Sequence, residues 1–505
     1  MLSSVNKNFK ENLMIKYFVA DKSAVVWWDK KNGYAGEYTV LLNGEGVFRS
    51  RFTHCRLTLK NHYEKYDVAV VAEGVAIEKI TVESDIEREF IDVTKAPYFA
   101  DGSGKNINTA VLQQAIDDAK NGQIVYLPAG VYLTGALDLH SYTRMYLEKG
   151  ATLSGSVDPE DYLPKIKSRY EGIERLCYRS LINVGTLDRS RNNTAEDVLI
   201  YGDGTIEGGG KVLMENVIAT ERTADREYAE KVEREQPENA RVIFGRARGR
   251  LINISSARNV VIDGVTLKNG PAWNVHPIYS KNVIVSDCYF KSEGVWNGDG
   301  FDPDSSEDCV IFGCLFETGD DCIAIKSGKN PEGNIINKPC KNIDIFDCKC
   351  LYGHGIAIGS EMSGGVENVR MWNNDFISSG DGLIIKAQRK RGGYVRNVKV
   401  ENCSFSRIFI TSDVGYNSDG EAAPSLAQFE NFEFVDVLIT GKCFSMTRDT
   451  YPVPAISVTG YKEEGYKFRN FTFKNVTVPK YSDEVKQRIE IQDVENLTII
   501  NLESK

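Results

Sequence analysis

The chain has no long apolar run and no dominant basic stripe. No stretch of 18 or more apolar residues occurs among its 505 residues, so the sequence predicts no membrane-spanning helix. Lysine and arginine number 61 against 71 aspartate and glutamate, which gives a formal net charge of -10. Because a duplex-DNA-binding protein normally carries a basic stripe, we expect no nucleic-acid partner and no membrane partner. An acidic substrate stays compatible with this balance, since a local group of cations can hold one.

An apolar leader and a metal-type cysteine spacing are also missing. The first ten residues lack the apolar core of a signal peptide, so we expect a cytoplasmic protein, or a secreted one if a leader has been trimmed. The cysteines number eleven, an odd count that excludes complete internal pairing. No Cys-x-x-Cys pair is matched by a second one, so we expect no metal site. We interpret the thiols as reduced and packed like small apolar residues.

The N-terminal part of the chain shows the pattern of a small all-β unit over residues 14–92. Short alternating runs such as Ser23-Ala-Val-Val-Trp-Trp28 are separated by turn residues. The segment resembles a fibronectin type III β-sandwich, with Trp27 or Trp28 on an early core strand and Tyr66 at the corner before a late strand. Such a module positions or stabilises its neighbours, so we assign it no chemistry.

From about residue 196 a short unit recurs, opening with Asn or Asp and continuing as alternating β-branched or aromatic residues. The openings are Asp197, Asn259, Asn282, Asp308, Asn342, Asn368, Asn397, Asn431, Asn470 and Asn496. Between 259 and 397 the steps are 23, 26, 34, 26 and 29 residues. This period predicts an all-β fold, a right-handed parallel β-helix over residues 95–505. A propeller would need a longer period with four strands per repeat.

Two helical patterns accompany the repeats. The first is amphipathic, with Ala110, Ile116 and Ala119 near one face and Asn108 or Thr109 as its cap. We expect it to close one end of the solenoid, where core and strand edges would otherwise be exposed. The second pattern, at 211–247, is charged and interrupts the repeat. It is either a solvated surface helix or a wall at one end of a substrate groove.

The repeat brings polar residues into related phase. Counted from the residue that opens each unit, Asp320, Asp321 and His354 follow after 12, 13 and 12 residues, and Asp299 and Lys386 after 17 and 18. Since coils stack about 4.8 Å apart, we expect these groups on one face, about 5 to 10 Å from one another. That range includes the carboxyl separation of an inverting glycosidase. In this interpretation, negative neighbours keep one carboxyl protonated as the acid, and ionised carboxylates activate water.

Several sequence blocks carry a family resemblance. They are Asn297-Gly-Asp-Gly-Phe-Asp-Pro-Asp-Ser-Ser306, Thr318-Gly-Asp-Asp-Cys-Ile-Ala-Ile-Lys-Ser-Gly328, Gly353-His-Gly-Ile-Ala-Ile-Gly-Ser360 and Pro271-Ala-Trp-Asn-Val-His-Pro277. These blocks resemble the signatures of glycoside hydrolase family 28, the polygalacturonases. The resemblance spans roughly residues 95–500. It implies a pectin-lyase-like solenoid that hydrolyses α-1,4-linked galacturonic acid in pectin or oligogalacturonides with inversion, without a metal or other cofactor.

The resemblance also implies a role for each residue that matches the family pattern. Asp320 would be the general acid, Asp299 and Asp321 would activate water, and His354 would assist. Lys386 would bind a carboxylate of the substrate.

The chain departs from the family where Arg-Ile-Lys is replaced by Ile384-Ile-Lys386. Arg389 and Arg391 are candidates to replace the missing arginine; otherwise rhamnogalacturonan or xylogalacturonan becomes a more credible substrate. His276 is a candidate at the groove rim, with a structural role as the alternative. Tyr416 would correspond to the family's downstream tyrosine.

Other functions are possible on a similar β-helix. A polysaccharide lyase would want a calcium site and a basic residue near the acidic carbon of the sugar, and a non-catalytic carbohydrate-binding protein would bind without turnover. Asp302, Asp304 and Asp308 could bind calcium with Asp299, but their spacing favours turn or supporting roles. The inserted segment and the N-terminal module favour an exo-acting enzyme.

Overall fold

The computed structural model describes residues 15–31, 33–120, 122–415, 420–445, 447–480 and 488–504. Most of these residues belong to a solenoid of short parallel strands, preceded by two small antiparallel sheets. The predicted fold class, an all-β parallel β-helix, is confirmed. Within the described ranges, no helix has the length and apolarity needed to cross a bilayer.

The N-terminal residues form two antiparallel sheets around a shared apolar core. Their strands are Ile15–Ala20, Ser23–Trp28 and His54–Thr58 in one sheet, and Tyr38–Leu42, Glu45–Ser50, Lys65–Ala72 and Val75–Glu83 in the other. We call these strands the N-terminal module. Trp28 lies in its core against Tyr38, with ring centroids 5.6 Å apart. The hydroxyl of buried Tyr66 accepts a hydrogen bond of 3.0 Å from the backbone N–H of Asn61. This bond ties the loop before its strand.

The β-helix has three strand ladders, and the first two are the longest. The first contains Phe90–Asp92, Ile124–Leu127, Arg144–Leu147, Glu196–Gly202, Arg258–Asp263, Lys281–Ser286, Glu307–Phe312, Cys340–Phe346, Val366–Trp372, Tyr394–Glu401, Gln428–Val435, Phe468–Val478 and Val494–Ser504. The second contains Ser103–Ile107, Gly130–Thr134, Ala151–Gly155, Thr205–Glu207, Thr266–Lys268, Tyr289–Lys291, Leu315–Glu317, Lys349–Tyr352, Asp375–Phe376, Ser404–Phe405 and Leu438–Ile439. Phe90–Asp92 pairs in parallel with Ile124–Leu127, so this strand belongs to the β-helix. The sequence had placed it in the N-terminal unit, which was expected to end at residue 92.

The third ladder carries the candidate site, and we call it the site ladder. Its strands are Leu137–Leu139, Ile182–Val184, Ile252–Ser255, Val275–Ile278, Ile323–Ile325, Gly355–Ile358, Gly382–Lys386, Ile408–Thr411, Ile456–Thr459 and Ile489–Gln492. Phe301 bridges Val275 to Ile323 and so joins its two halves. Two hairpins lie outside the ladders, Ile166–Tyr170 with Ile173–Cys177 and Lys442–Phe444 with Thr450–Pro452.

The polar residues that open each repeat form a hydrogen-bonded ladder. They adopt left-handed backbone conformations, as at Asn259 with φ 55° and Asn342 with φ 58°, which Asn and Asp tolerate better than other residues with a side chain. Side-chain amides then bond from coil to coil, for example Asn282 to Asn259 at 2.8 Å and Asn368 to Asn342 at 3.0 Å. The ladder fixes the register of the coils, which explains why the sequence period was readable.

The eleven cysteines are all buried and unpaired, as the odd count suggested. Several stack inside the solenoid between the apolar residues of neighbouring coils. The interpretation of these thiols as small apolar core residues is therefore confirmed.

The helices are few and lie at the edges of the solenoid. They are Thr109–Asp118, Gly210–Ala224, Arg226–Glu235, Ala240–Gly245 and Glu332–Ile336, with short 3-10 turns at Pro159–Tyr162 and Pro237–Asn239. The first helix covers the solenoid core, as expected, but its buried residues are Leu112, Ala115 and Ile116, whereas Ala110 is exposed. Asn108 makes no side-chain cap and instead accepts a 2.7 Å bond from the backbone N–H of Asp101.

The inserted segment folds as a helical subdomain over residues 210–245, which we call the helical insertion. Met214, Ile218, Val232 and Phe244 form its own apolar core. Several of its residues face the cavity beside the site ladder. The insertion therefore walls the groove, which is the second of the two roles that the sequence left open.

The N-terminal module docks on the first ladder through aromatic and charged groups. Trp27 lies against Phe312 with ring centroids 5.3 Å apart, within a buried cluster shared by the module and the β-helix. His54 Nδ1 lies 2.7 Å from Asp347 and its Nε2 lies 3.3 Å from Asp287. The N-terminal module and the β-helix are thus joined by a buried histidine between two carboxylates.

Candidate active site

Successive coils of the site ladder place three candidate side chains at positions equivalent to one another and to Asp381, a residue that the sequence did not single out. Phe301 pairs with Ile323, which pairs with Ile356, and Ile356 pairs with Leu383. The residues two places before these four are Asp299, Asp321, His354 and Asp381. They therefore stack coil upon coil. Asp299 follows its repeat opening, Asn282, by more residues than Asp321 and His354 follow theirs, and the longer turn before Asp299 contains the additional residues.

Backbone hydrogen bonds hold this stack. The N–H of Gly300 donates to the carbonyl of Asp321 at 3.0 Å, and the N–H of His354 donates to the carbonyl of Asp320 at 3.0 Å. Since these bonds join consecutive coils, the carboxylates are held at the spacing of parallel strands, about 4.8 Å per coil.

The stacked residues open onto a cavity of about 1150 Å³. Asp299, Asp320, Asp321, His354 and Lys386 all line it. One wall is supplied by the helical insertion, through residues that include Glu221, Tyr228 and Phe244. The structure thus brings the five central residues expected from the sequence to one face, next to a cavity large enough for a sugar.

Asp320 and His354 form the shortest acid–base contact of the group. His354 Nδ1 lies 3.0 Å from Asp320 Oδ1 and 3.8 Å from Asp321 Oδ1. The hydrogen bond to Asp320 raises the pKa of His354 to about 9, although burial opposes the charge. Burial alone would raise the pKa of Asp320, but the hydrogen bond and charge of His354 outweigh it and lower that pKa. At neutral pH His354 is therefore a protonated, positively charged imidazolium and Asp320 is an ionised carboxylate.

The other two carboxyls respond in the opposite direction. Burial raises the pKa of Asp299 well above its ordinary value, with a further contribution from the negative charges around it. Burial and the charge of Asp320 raise the pKa of Asp321. The sequence interpretation expected crowding to keep the acid protonated, with Asp320 as that acid. In the site without substrate, burial and negative neighbours raise the pKa of Asp299 and Asp321 instead. The pKa of Asp320 is lowered, because His354 stabilises its carboxylate.

Lys326 was quoted in a sequence block but not expected to take part, and it lies at the centre of the site. Its side chain is 7% exposed, and Nζ lies 2.9 Å from Asp302 Oδ2 and 3.5 Å from Asp299 Oδ2. The ammonium also lies 3.8 Å from the ring centroid of Trp273. Sequence alone could have marked Lys326, since it follows the site strand Ile323–Ile325 as Lys386 ends the strand two coils later.

His276 is not at the groove rim, which corrects its expected role in substrate binding. The residue is fully buried, with Nε2 3.6 Å from Asp304 and Nδ1 accepting a 3.3 Å bond from Arg250. Burial lowers the pKa of His276 to about 3, so the ring is neutral. Its edge packs on Trp273, which supports the structural alternative.

The expected substrate-binding cations divide into two groups. Lys386 and Arg391 line the cavity, although the guanidinium of Arg391 is buried and donates to Asn330 at 2.7 Å. Arg389 instead pairs with Glu463 and is not among the residues that line the cavity, so its contact with substrate stays a prediction. Tyr416 lies outside the described residues.

Ile384, which stands where the family has arginine, faces the cavity as part of an apolar strip. In register across the site ladder, Ile384 neighbours Ala357 on one side and Phe409 on the other. The guanidinium of Arg407 lies 4.5 Å from the ring centroid of Phe409 and pairs with Asp381. Ile384 therefore presents an apolar side chain to the cavity between charged neighbours.

The acidic side chains near the site have partners that explain them without an ion. Asp302 pairs with Lys326, Asp304 pairs with buried Arg169 at 2.8 Å, and Asp308 accepts a 2.8 Å bond from Asn342 in the repeat ladder. Asp320, Asp321 and His354 place three potential ligand atoms within 4.8 Å of one another. Their mutual hydrogen bond and ion pair account for this group, and we assign it acid–base chemistry.

Comparison with known proteins agrees with the geometry. A "Probable polygalacturonase" from Vitis vinifera is 32% identical over 64% of this chain and 63% of its own length. An "Exo-poly-alpha-D-galacturonosidase" from Dickeya chrysanthemi is 27% identical over 75% of this chain and 66% of its own length. The chain therefore spans somewhat less than two thirds of these relatives.

Solved structures show the same fold. The exopolygalacturonase from Thermotoga maritima superimposes with a TM-score of 0.65 at 27% identity, covering 82% of this chain and 92% of that one. The family 28 exopolygalacturonase from Yersinia enterocolitica gives a TM-score of 0.78 at 21% identity, over 98% of this chain and 99% of that one. The second likeness includes the N-terminal module and shows the fold alone.

The family model described as "Glycosyl hydrolases family 28" matches residues 185–496, more than half of the chain. The matched range contains Asp299, Asp320, Asp321, His354 and Lys386, which all line the cavity. The chain belongs to glycosyl hydrolases family 28.

Proposed function

We propose that this protein is an exo-acting, inverting hydrolase of α-1,4-galacturonosidic linkages in pectin or oligogalacturonides. The observation that carries the proposal is the single cavity onto which Asp299, Asp320, Asp321, His354 and Lys386 all open. The family membership and the activities for which the Dickeya and Thermotoga relatives are named support the same reaction.

The proposed chemistry uses the two kinds of carboxyl that the site contains. The Asp320–His354 pair gives a proton to the glycosidic oxygen while the bond from that oxygen to the anomeric carbon breaks. One of Asp299 and Asp321, in its ionised form, accepts one proton of a water molecule that attacks the same carbon from the opposite face, so the configuration inverts. The raised pKa of each carboxyl makes its ionised form the stronger base. The proton passes to Asp320 from His354 Nδ1, which lies 3.0 Å away.

Exo-action follows from the shape of the cavity. The helical insertion stands at one side, where Tyr228, Ile243 and Phe244 line the wall. A smaller pocket of about 140 Å³, lined by His354, Tyr352, Phe444 and Tyr451, lies on the other side of His354. We infer that the chain end enters against the insertion and that the rest of the polymer leaves past His354.

A second substrate class is favoured by the apolar strip at Ile384. An uncharged sugar or a decorated uronate fits beside Ile384 better than a bare carboxylate, because this side chain has no charge to pair with one. Rhamnogalacturonan and xylogalacturonan are the pectic polymers that contain such groups. Lys386 still supplies one cation for a uronate.

Product analysis tests both proposals. The enzyme is incubated with homogalacturonan, xylogalacturonan and rhamnogalacturonan, and early products are sized and their anomeric configuration is followed by NMR. Monomers or dimers from the first time point, with inverted configuration, are expected from one substrate. A ladder of mid-length fragments would exclude exo-action, and an unsaturated product absorbing in the ultraviolet would exclude hydrolysis in favour of a lyase.

We also propose that the protein works in a reducing compartment, as a cytoplasmic enzyme that trims imported oligosaccharides. Eleven buried thiols without a disulfide suit such a compartment. Cell fractionation with an antibody against the native chain tests this location, and recovery of the protein in the culture medium would contradict it.

A further inference from the structure

The most heavily buried charge cluster of the site is centred on Lys326, whose ammonium lies between two carboxylates of the preceding coil. Nζ is 2.9 Å from Asp302 and 3.5 Å from Asp299. Among the described residues, the carboxylate oxygens of Asp302 have no partner besides Lys326, and one oxygen of Asp299 has no hydrogen-bond partner. One cation therefore serves two buried anions.

We propose that Lys326 and Asp302 form a positioning pair that sets the ionisation of Asp299, with Lys326 favouring its carboxylate form and Asp302 opposing it. The inference rests on the proposed function, in which Asp299 accepts a proton from water. Lys326 also lines the cavity, and the inference concerns its contact with Asp299.

The geometry explains why each member acts in its own direction. Asp299 and Asp302 belong to one turn, three residues apart, and both point to the same ammonium. Charge on Asp302 attracts Lys326 and repels Asp299, so an ionised Asp302 weakens the stabilisation of ionised Asp299. Burial makes these interactions strong, because little water screens them.

Other groups also face this cluster, and the test must separate their effects. The ionisable groups around Asp299 and Lys326 are Tyr170, His276, Asp304, Asp320, Asp321 and Glu361. None of them contacts both Asp299 and Asp302 as Lys326 does among the hydrogen bonds and ion pairs of the described residues. Burial raises the pKa of Asp302 to about 7, which places its change of charge near neutral pH.

The experiment compares two variants that must shift the pH profile in opposite directions. Lys326→Met keeps the length of the side chain and removes its charge, and Asp302→Asn keeps the shape and removes the opposing charge. Opposite charges at this distance shift a pKa by about 1 to 3 pH units. We expect the acid limb of kcat/KM to move to higher pH in Lys326→Met and to lower pH in Asp302→Asn.

Lys291→Met is the matched control, since Lys291 lies outside the cavity and pairs with Glu317. Its acid limb should coincide with that of the parent protein. Lys326→Arg retains the charge and should restore the position of the limb even if its larger head lowers kcat. Shifts in the same direction for both main variants, or no shift, would overturn the proposal, because a purely structural role has no reason to respond to charge with opposite sign.

A readout without turnover separates this inference from the proposed function. Difference infrared spectroscopy follows the carboxyl C=O band of Asp299, assigned by its loss in Asp299→Asn, as pH is raised. The titration midpoint should rise in Lys326→Met and fall in Asp302→Asn. If no pectic polymer is cleaved but the midpoints move in this way, the function is wrong and the positioning pair stands. If one variant does not fold, the direction of the other still decides.

Discussion

Replacing His54 should remove a pH-dependent part of the stability of this protein. The imidazole lies between Asp347, at 2.7 Å, and Asp287, at 3.3 Å, where the N-terminal module meets the β-helix. Burial lowers the proton affinity of His54, but the hydrogen bonds and charges of the two aspartates outweigh burial and raise its pKa from 6.5 to about 9. His54→Gln keeps a polar side chain of similar size and cannot take up the proton.

The size and sign of the effect follow from this shift. Because the folded-state pKa is raised, the stabilisation is fully present below pH 6.5 and is lost as pH rises through about 9. A shift of this size corresponds to about 3 kcal/mol. The parent protein should therefore exceed His54→Gln in stability by about 3 kcal/mol more at about pH 6 than at about pH 10.

Urea unfolding followed by tryptophan fluorescence measures this difference, because Trp27 lies in the same interface. The measurement is repeated at several pH values for the parent, His54→Gln and Asp347→Asn. Asp347→Asn removes one of the two anions and should reduce the pH-dependent difference without abolishing it. A stability gap between the parent and His54→Gln that is the same at all pH values would refute the reasoning.

Three further results are expected. Asp320→Asn should lose at least about 100-fold in kcat while its circular dichroism is unchanged, because the leaving oxygen then lacks its proton donor; full turnover would exclude the assignment. His354→Gln should move the alkaline limb of kcat/KM, which we expect near pH 9 in the parent because Asp320 raises the pKa of His354 to about 9; an unmoved limb would exclude His354 as its source. Phe346→Ala should cost about 3 to 5 kcal/mol in urea unfolding, since its fully buried ring stacks on Trp372 at 4.3 Å and leaves a cavity when removed; a loss below about 1 kcal/mol would show that the interface closes over the gap.

Much of the site could be predicted because a parallel β-helix is periodic along the chain. Residues that open each coil, such as Asn342 and Asn368, recur at readable intervals and bond to one another. Counting from them was enough to place Asp321 and His354 on one face. Asp299 needed more, because the longer turn before it changes its count, and only the pairing of Phe301 with Ile323 fixes its position.

Counting residues along the repeats could not predict which side chains are buried or which charged groups they contact. His276 falls in a block that resembles the family, yet it is fully buried beside Arg250 and Asp304. Arg389 lies close in sequence to Lys386, yet it turns away to Glu463. Both outcomes depend on side chains that are distant in sequence, so no local pattern reports them.

The sequence by itself determined the solenoid and the alignment of its acidic residues, because both follow from the spacing of repeats along one chain. The tertiary structure alone decided the protonation of those residues. His354 lowers the pKa of Asp320, and Lys326 lies between Asp299 and Asp302, both through contacts between different coils. Proton affinity depends on distance and desolvation, which three-dimensional packing sets and linear order does not.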